Sequence, residues 1–161
     1  MALKFEELRV LQAAEAVADG IWRQVVRWDT FARETVGKQL ARAGDSVGAN
    51  IAEAYGRFHY GEKLQFLYYA RGSLFETKYW LNRAQERALL PAELAADYVT
   101  QLTDLARQLN AFVADLKGQK HGGLENKATR EAAAEYITEA PLSLITEADL
   151  AWLAAIPISN I

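Results

Sequence analysis

The stretch that decides the fold is residues 62–88, EKLQFLYYARGSLFETKYWLNRAQERA. Small and apolar residues recur along it at steps of three and four, which is the spacing of one face of an α-helix. This core line consists of Leu67, Ala70, Leu74, Thr77, Leu81, Ala84 and Ala88. A second line, on nearly the opposite side of the helix, consists of Tyr68, Gly72, Phe75 and Tyr79. Because one antiparallel bundle buries only one side of a helix, we predict that this second line forms an oligomer interface.

Three further segments show the same helical period, two before this stretch and one after it. The first stripe contains Val10, Ala14, Val17, Ile21, Val25 and Trp28, widened by Leu11, Ala18 and Trp22. The second contains Val36, Leu40, Ala43, Val47, Ile51, Ala54 and Phe58, and the last contains Leu94, Tyr98, Leu102, Leu105, Leu109, Phe112 and Leu116. Breaks are expected at Asp29 or Thr30, between Gly56 and Gly61, and at Pro91. Short links between long helices predict an all-α fold, an antiparallel up-down-up-down four-helix bundle.

The bundle is expected to span residues 1–117, and residues 118–161 are expected to form a linker and an acidic tail. A glycine-rich run at 118–123 marks the linker. Thr146 and Asp149 resemble a capping box at the start of a short helix near 146–155. This helix is expected to pack on the bundle or on a neighbouring subunit, and a partly disordered tail is the alternative.

The composition excludes several classes of protein and site but indicates no reaction. Hydrophobic residues make up 51% of the chain, cysteine is absent and the net charge is −3. These values exclude a disulfide scaffold, a thiol nucleophile and zinc–thiolate or iron–sulfur sites. The charged start lacks the apolar core of a signal peptide, and no run is long enough to cross a membrane. We therefore expect a cytoplasmic protein with no membrane partner.

No arrangement of side chains in the sequence indicates catalysis. The two histidines, His59 and His121, lack the Glu-x-x-His spacing of di-iron bundles. No nucleophile elbow, phosphate loop or dinucleotide fingerprint is present. Glu53 and Glu76 are each expected to pair with an arginine rather than to share a site. We predict that the protein is not an enzyme and has no catalytic residues, metal, cofactor or small-molecule ligand.

One polar line stands out beside the apolar stripe of the second helix. It consists of Gln39, Arg42, Ser46, Asn50, Glu53 and Arg57. Glu53 and Arg57 have the i,i+4 spacing of a helical ion pair. The line is interpreted either as a rim that organises subunit contacts or as a surface that receives phosphate through Arg42 and Arg57, and we favour the first.

A nucleic-acid interface is the alternative function that the charges allow. Residues 23–87 hold eleven basic and seven acidic side chains, whereas residues 121–161 hold two and six. The candidate contacts are Arg23, Arg27, Lys38, Arg42 and Arg57. Exposed tyrosines such as Tyr68 and Tyr79 would stack on bases or seal a protein interface.

Three runs of the sequence resemble a known family. They are Phe5-Glu6-x-Leu8-x-Val10-x-Gln12-x-Ala14; Gln39-Leu40-x-Arg42-Ala43 with Ser46-Val47-x-x-Asn50-Ile51-Ala52-Glu53-Ala54-Tyr55-Gly56-Arg57; and Phe66-Leu67-x-x-Ala70-x-Gly72-Ser73-Leu74-x-Glu76. Over about residues 4–117 the chain resembles the four-helix bundle family of 23S rRNA intervening sequence proteins. This family includes the accessory variability protein of diversity-generating retroelements.

The resemblance implies a non-enzymatic bundle that assembles into a ring-like homopentamer. For the retroelement branch it also implies binding to nucleic acid and to a reverse transcriptase. The residues that match the signature are Gln39, Arg42, Ser46, Asn50, Glu53, Arg57, Gly72, Ser73 and Glu76. The chain departs from the common pattern at Ala41, Asp45, Gly48 and Ala54. Retroelement members are strongly basic and this chain is not, which weakens the counterion-release term of nucleic-acid binding.

Overall fold

The computed structural model describes residues 5–122 and 143–155. Within these ranges every regular element is helical, which confirms the predicted all-α class. A 3₁₀ turn, Phe5–Glu7, precedes α1, Arg9–Val25. Helix α2 consists of α-helical Thr30–Ala32, π-helical Arg33–Gly37 and α-helical Lys38–Gly56. Helices α3, α4 and α5 are Tyr60–Glu86, Ala92–Gly122 and Glu147–Ala154.

Helices α1 and α2 pack closely along the glycines of α2. A Cβ atom on Gly44 would lie 3.2 Å from Ile21 Cδ1, and one on Gly48 would lie 3.7 Å from Ala14 Cβ. Two glycines spaced i,i+4 on one side of a helix leave room for such a close approach of another helix. Since the contacts descend α1 as they ascend α2, the two helices are antiparallel.

The remaining helices complete the four-helix bundle. Asn50 lies opposite Ser73 and Arg57 lies opposite Phe66, so α2 and α3 are antiparallel. Helix α4 packs against both α1 and α3. The buried side chains of all four helices form one continuous core.

The core line of α3 is buried as predicted, with one exception at its end. Leu67, Ala70 and Leu74 have no exposed surface, but Ala88 is exposed. The helix ends at Glu86, and Ala88 follows with a left-handed backbone, φ 56°. The Leu89 N–H donates to the Ala84 carbonyl at 2.8 Å, which is the closing hydrogen bond of a Schellman motif.

Two aromatic residues assigned to the apolar stripes are wrong as core predictions. Trp22 is 59% exposed and Phe58 is 89% exposed. Trp22 lies at the edge of the α1 stripe, on the side of the helix that faces solvent. Phe58 follows the end of α2 at Gly56, so the helical period no longer applies to it.

The start of α2 carries an irregular turn. Asp29 caps the helix, and its Oδ1 accepts a hydrogen bond from the Ala32 N–H at 3.0 Å. In the π-helical segment that follows, the Lys38 N–H donates to the Arg33 carbonyl. Gly37 ends this segment against α1, where a Cβ atom would lie only 2.7 Å from Val25 Cγ1. The turn therefore needs glycine at this position.

The end of α4 and the short helix α5 differ in how well they were predicted. Helix α4 runs to Gly122, so a linker that begins at residue 118 is wrong. One glycine costs a helix only about 1 kcal/mol, and the residues around Gly118 are good helix formers. Helix α5 is present, and Thr146 and Asp149 form the predicted capping box. Residues 123–142 and 156–161 of the predicted linker and acidic tail lie outside the described residues.

None of the described helices is long and apolar enough to cross a membrane.

Candidate functional site

Two members of the polar line of α2, Asn50 and Arg57, contact signature residues or their neighbours on α3. Asn50 Nδ2 donates to the Ser46 carbonyl at 2.8 Å and lies 3.5 Å from Ser73 Oγ on α3. Ser46 Oγ donates to the Arg42 carbonyl at 2.7 Å. Ser46 and Asn50 therefore donate to carbonyls of their own helix, and Asn50 also reaches α3.

Arg57 is committed to contacts within the chain. Its guanidinium pairs with the Glu53 carboxylate, as the i,i+4 spacing predicted. The same guanidinium lies 4.7 Å from the centre of the Phe66 ring on α3. Glu76 behaves differently from the expectation, because its Oε1 accepts from Trp80 Nε1 at 3.4 Å instead of pairing with an arginine. Arg57 therefore links the end of α2 to α3, and its guanidinium is already engaged by contacts within the chain.

Arg42 and Gln39 are exposed at the other end of the polar line. In the described part of the chain, the Arg42 side chain makes no ion pair. A free guanidinium on a helix surface is suited to a phosphate or a carboxylate.

The five predicted nucleic-acid contacts do not form one patch. Arg23, Arg27 and Lys38 are exposed near the α1–α2 turn. Arg57 follows the opposite end of α2, about 28 Å from Lys38 at 1.5 Å per residue. Arg23 lies beside α4, where its charge acts on Tyr98, so it also faces a different side of the bundle from Arg42.

The outer line of α3 is largely exposed, as an interface in an isolated chain would be. Tyr68 is 42% exposed and Tyr79 is 51% exposed. Gly72 lies between them, exposed, with no neighbouring atom within 4 Å of a Cβ position. Tyr69 adds a third tyrosine, 50% exposed, on the side toward α2.

Phe75, the fourth member of this line, is covered by residues 143–155, which we call the C-terminal strap. The Trp152 ring stacks on the Phe75 ring at 5.1 Å with an interplanar angle of 3°. Arg71 packs over the same ring at 4.6 Å and pairs with the Asp149 carboxylate at 3.1 Å. The strap therefore occupies the flank of the predicted interface.

Two polar side chains beneath the strap hold its backbone. Asn110 on α4 donates from Nδ2 to the Ile145 carbonyl at 2.8 Å and accepts from the Ile145 N–H at 2.9 Å. Lys78 on α3 donates from Nζ to the Ala155 carbonyl at 2.6 Å and to Asn82 Oδ1 at 2.9 Å. Both contacts fix the backbone of the strap rather than its side chains.

Burial and hydrogen bonding shift two pKa values at the strap. Lys78 is 1% exposed, and its burial lowers the pKa of the ammonium group. The hydrogen bond from the Thr146 N–H lowers the pKa of Asp149, burial opposes this, and Arg71 adds to the lowering.

Sequence reasoning missed Lys78 and Asn110. Lys78 lies four residues after Leu74 and three before Leu81, which is a core position. Asn110 has the same relation to Ala106 and Val113. A polar residue at a core position of a helix is the signal that would have found both.

The other candidate positions in the described residues show no arrangement of side chains that indicates catalysis or metal binding. A cleft of about 440 Å³ between α1 and α2 is lined by Glu15, Asp19 and Asp45. Burial, with the neighbouring Asp19 charge, raises the pKa of Asp45. Among the described residues no group of three potential ligands is placed to hold a metal ion. His59 is exposed with its ring on Phe58, and the side chain of His121 lies outside the described residues.

The four packed helices, with polar contacts between α2 and α3, define a small all-α bundle protein. A family model described as 23S rRNA-intervening sequence protein matches residues 6–111, well over half of the chain. The chain therefore belongs to the 23S rRNA-intervening sequence protein family, which confirms the resemblance. The match ends within α4, and the C-terminal strap lies beyond it. No curated protein sequence matches the chain significantly.

Proposed function

We propose that the protein is a non-enzymatic, self-assembling four-helix bundle whose copies associate through the outer face of α3. This assembly face consists of Tyr68, Tyr69, Gly72 and Tyr79, with Phe75 at its flank. A ring-like homopentamer is the form that the resemblance implies. The observation that supports the proposal is the concentration of half-exposed aromatic side chains on one side of one helix.

The chemistry of the face supports a protein partner. Tyrosine, tryptophan and arginine are enriched at interfaces, and the two aromatic residues bury a large area with few rotatable bonds. Soluble monomers seldom expose contiguous apolar patches larger than a few hundred Å², and the largest patch of a monomer is often a functional site. The face presents three tyrosines, Tyr68, Tyr69 and Tyr79, which are 42%, 50% and 51% exposed.

Light scattering at micromolar concentration tests the proposal directly. We expect a mass that is a multiple of the 17.9 kDa chain. Tyr79→Glu places a charge on the face and should give a folded subunit of single-chain mass, with unchanged helical circular dichroism. Phe31→Glu is the matched control, since Phe31 is 79% exposed at the α1–α2 turn. A wild-type monomer, or a Tyr79→Glu assembly of wild-type mass, would contradict the proposal.

Nucleic-acid binding is the second candidate, and the unpaired, exposed Arg42 favours it. Arg42→Gln should weaken binding of structured RNA or duplex DNA in a gel-shift assay and reduce the salt slope by about one. Arg57→Gln is the comparison, because Arg57 already pairs with Glu53. Wild-type binding that does not respond to salt would exclude this function. A cytoplasmic location stays a prediction.

A further inference from the structure

The strap docks on α3 in one fixed register. Asp149 meets Arg71, Trp152 meets Phe75, and the Ala155 carbonyl meets Lys78. The partners follow one another in the same order on both helices, so α5 lies parallel to α3. A shift of α5 by one turn would break the ion pair, the ring stack and the lysine hydrogen bond together. The direction in which Trp152 points is therefore set by the docking.

Apolar burial and the Asn110 clamp hold the start of the strap. Leu144, Ile145 and Leu153 are at most 6% exposed and join the bundle core. Asn110 satisfies both backbone groups of Ile145. The strap is thus a packed part of the fold, with its outer surface held in place.

The outer surface of the docked strap is apolar, unlike that of an ordinary solvent-facing helix. Apart from Glu147, the exposed residues of α5 are Ala148, Ala151, Trp152 and Ala154. Trp152 covers Phe75 with one side of its ring system and remains 43% exposed on the other. Docking therefore replaces one aromatic residue of the α3 face with a larger one.

The area and charge of this surface fit a second copy of the chain. A fully buried aromatic side chain removes about 150–250 Å² from water. The three tyrosines and Trp152 are each about half exposed, so together they offer about 400 Å² of surface to a partner. A stable interface takes about 800 Å² from each partner, of which these four residues would supply about half. Arg71 is paired with Asp149, and Arg83 lies 6.0 Å over the Tyr79 ring. With these cations engaged, an aromatic surface of the same kind is a better match than a phosphate-rich partner.

We propose that the docked C-terminal strap is part of the assembly face and supplies Trp152 to the contact with a second copy of this chain. The inference rests on the proposed function, because it assigns a further element to the same interface. The face of α3 alone is incomplete without the strap.

Two variants of the full chain test the inference by sedimentation velocity over a concentration series. Asn110→Ala removes both hydrogen bonds to Ile145 without touching the assembly face, and Trp152→Ala removes the indole itself. Each should raise the dissociation constant of the assembly about tenfold or more, the effect of losing a central aromatic contact. The indole NMR signal of Trp152 should shift in Asn110→Ala because its stack on Phe75 is lost. Trp22→Ala, at a tryptophan on α1 that is more exposed than Trp152 (59% against 43%), should leave the constant unchanged.

The outcomes separate the inference from the proposed function. If both variants assemble as the wild type does while Tyr79→Glu dissociates, the strap proposal is wrong and the α3 face stands. Tighter assembly of Asn110→Ala would show that the strap covers the interface, which also overturns the proposal. A wild-type chain that stays monomeric overturns both. Should Asn110→Ala fail to fold, the result for Trp152→Ala decides.

Discussion

The bundle and the C-terminal strap are held by different kinds of contact. In the bundle, apolar side chains recur at every turn of four helices, and each is covered by several others. In the strap, thirteen residues are held by three side chains that join the core, Leu144, Ile145 and Leu153. A few pairs whose members are far apart in sequence add to this, such as Arg71 and Asp149, 78 positions apart. We therefore expect the bundle, which is specified by a repeating pattern, to unfold cooperatively, and the strap to open locally at a lower free energy.

The largest expected effect is the loss of a core side chain in the bundle. Leu74 has no exposed surface. Leu74→Ala should lower the free energy of unfolding by about 2–5 kcal/mol, because the lost contacts and the cavity both destabilise the fold. Urea unfolding followed by circular dichroism measures this. A loss below about 1 kcal/mol would show that the site collapses or that the side chain is not buried.

The same substitution in the strap should have a different outcome. Leu153 is also fully buried. Leu153→Ala should release the strap, increasing hydrogen exchange in residues 143–155, and leave the urea midpoint of the bundle nearly unchanged. The comparison fails if Leu153→Ala lowers the midpoint as much as Leu74→Ala does, since strap and bundle would then unfold as one unit.

A stabilising change is available at the α3–α4 turn. Ala88 has a left-handed backbone, which costs a residue with a Cβ atom about 1–2 kcal/mol. Glycine removes this cost but adds freedom to the unfolded chain, worth about 0.4–1 kcal/mol. Ala88→Gly should therefore raise the stability of the bundle by about 0.5–1 kcal/mol in thermal unfolding. Hydrogen exchange in the strap should not change, and a lower stability would contradict the Schellman assignment.

The smallest expected effect is an acid dependence confined to the strap. Since the pKa of Asp149 is lowered in the docked state, its contribution to docking is complete above the ordinary value of 3.8. This contribution is lost as the pH falls through the lowered pKa. Asp149→Asn should abolish the acid step in the Trp152 indole signal, while Asp104→Asn, at an exposed pair with Arg107, should keep it. An acid step that persists in Asp149→Asn would assign it to another group.

The difference between bundle and strap also explains what the sequence could predict. The stripes of α1 to α4 gave the all-α class and most of the core, because a helical period is a local property of the chain. The capping box of α5 was readable for the same reason, since Thr146 and Asp149 are three residues apart. The failures at Phe58, Ala88 and the last turn of α4 lie where the periodicity ends, and the failure at Trp22 lies at the edge of the α1 stripe.

The candidate site divides in the same way. The Glu53–Arg57 pair was predictable from its spacing on one helix. The contacts of Asn110 with Ile145 and of Lys78 with Ala155 join residues 35 and 77 positions apart, and no local pattern links them. The acceptors of Lys78 are the Ala155 carbonyl and the Asn82 amide oxygen. Because both are neutral, the sequence shows no opposite charge that would identify the partner of a buried cation.

The π-helical segment at the start of α2 is in effect a one-residue insertion. A chain with one residue fewer between Arg33 and Gly37 would close an ordinary α-turn there and keep the rest of α2 in place. Residues before the segment would then rotate by about 100° about the helix axis. Phe31 and the α1–α2 turn would face another direction, while the contacts of Asn50 and Arg57 with α3 would be unchanged. Length variation at this single point is thus a means of altering one end of the molecule independently of its signature residues.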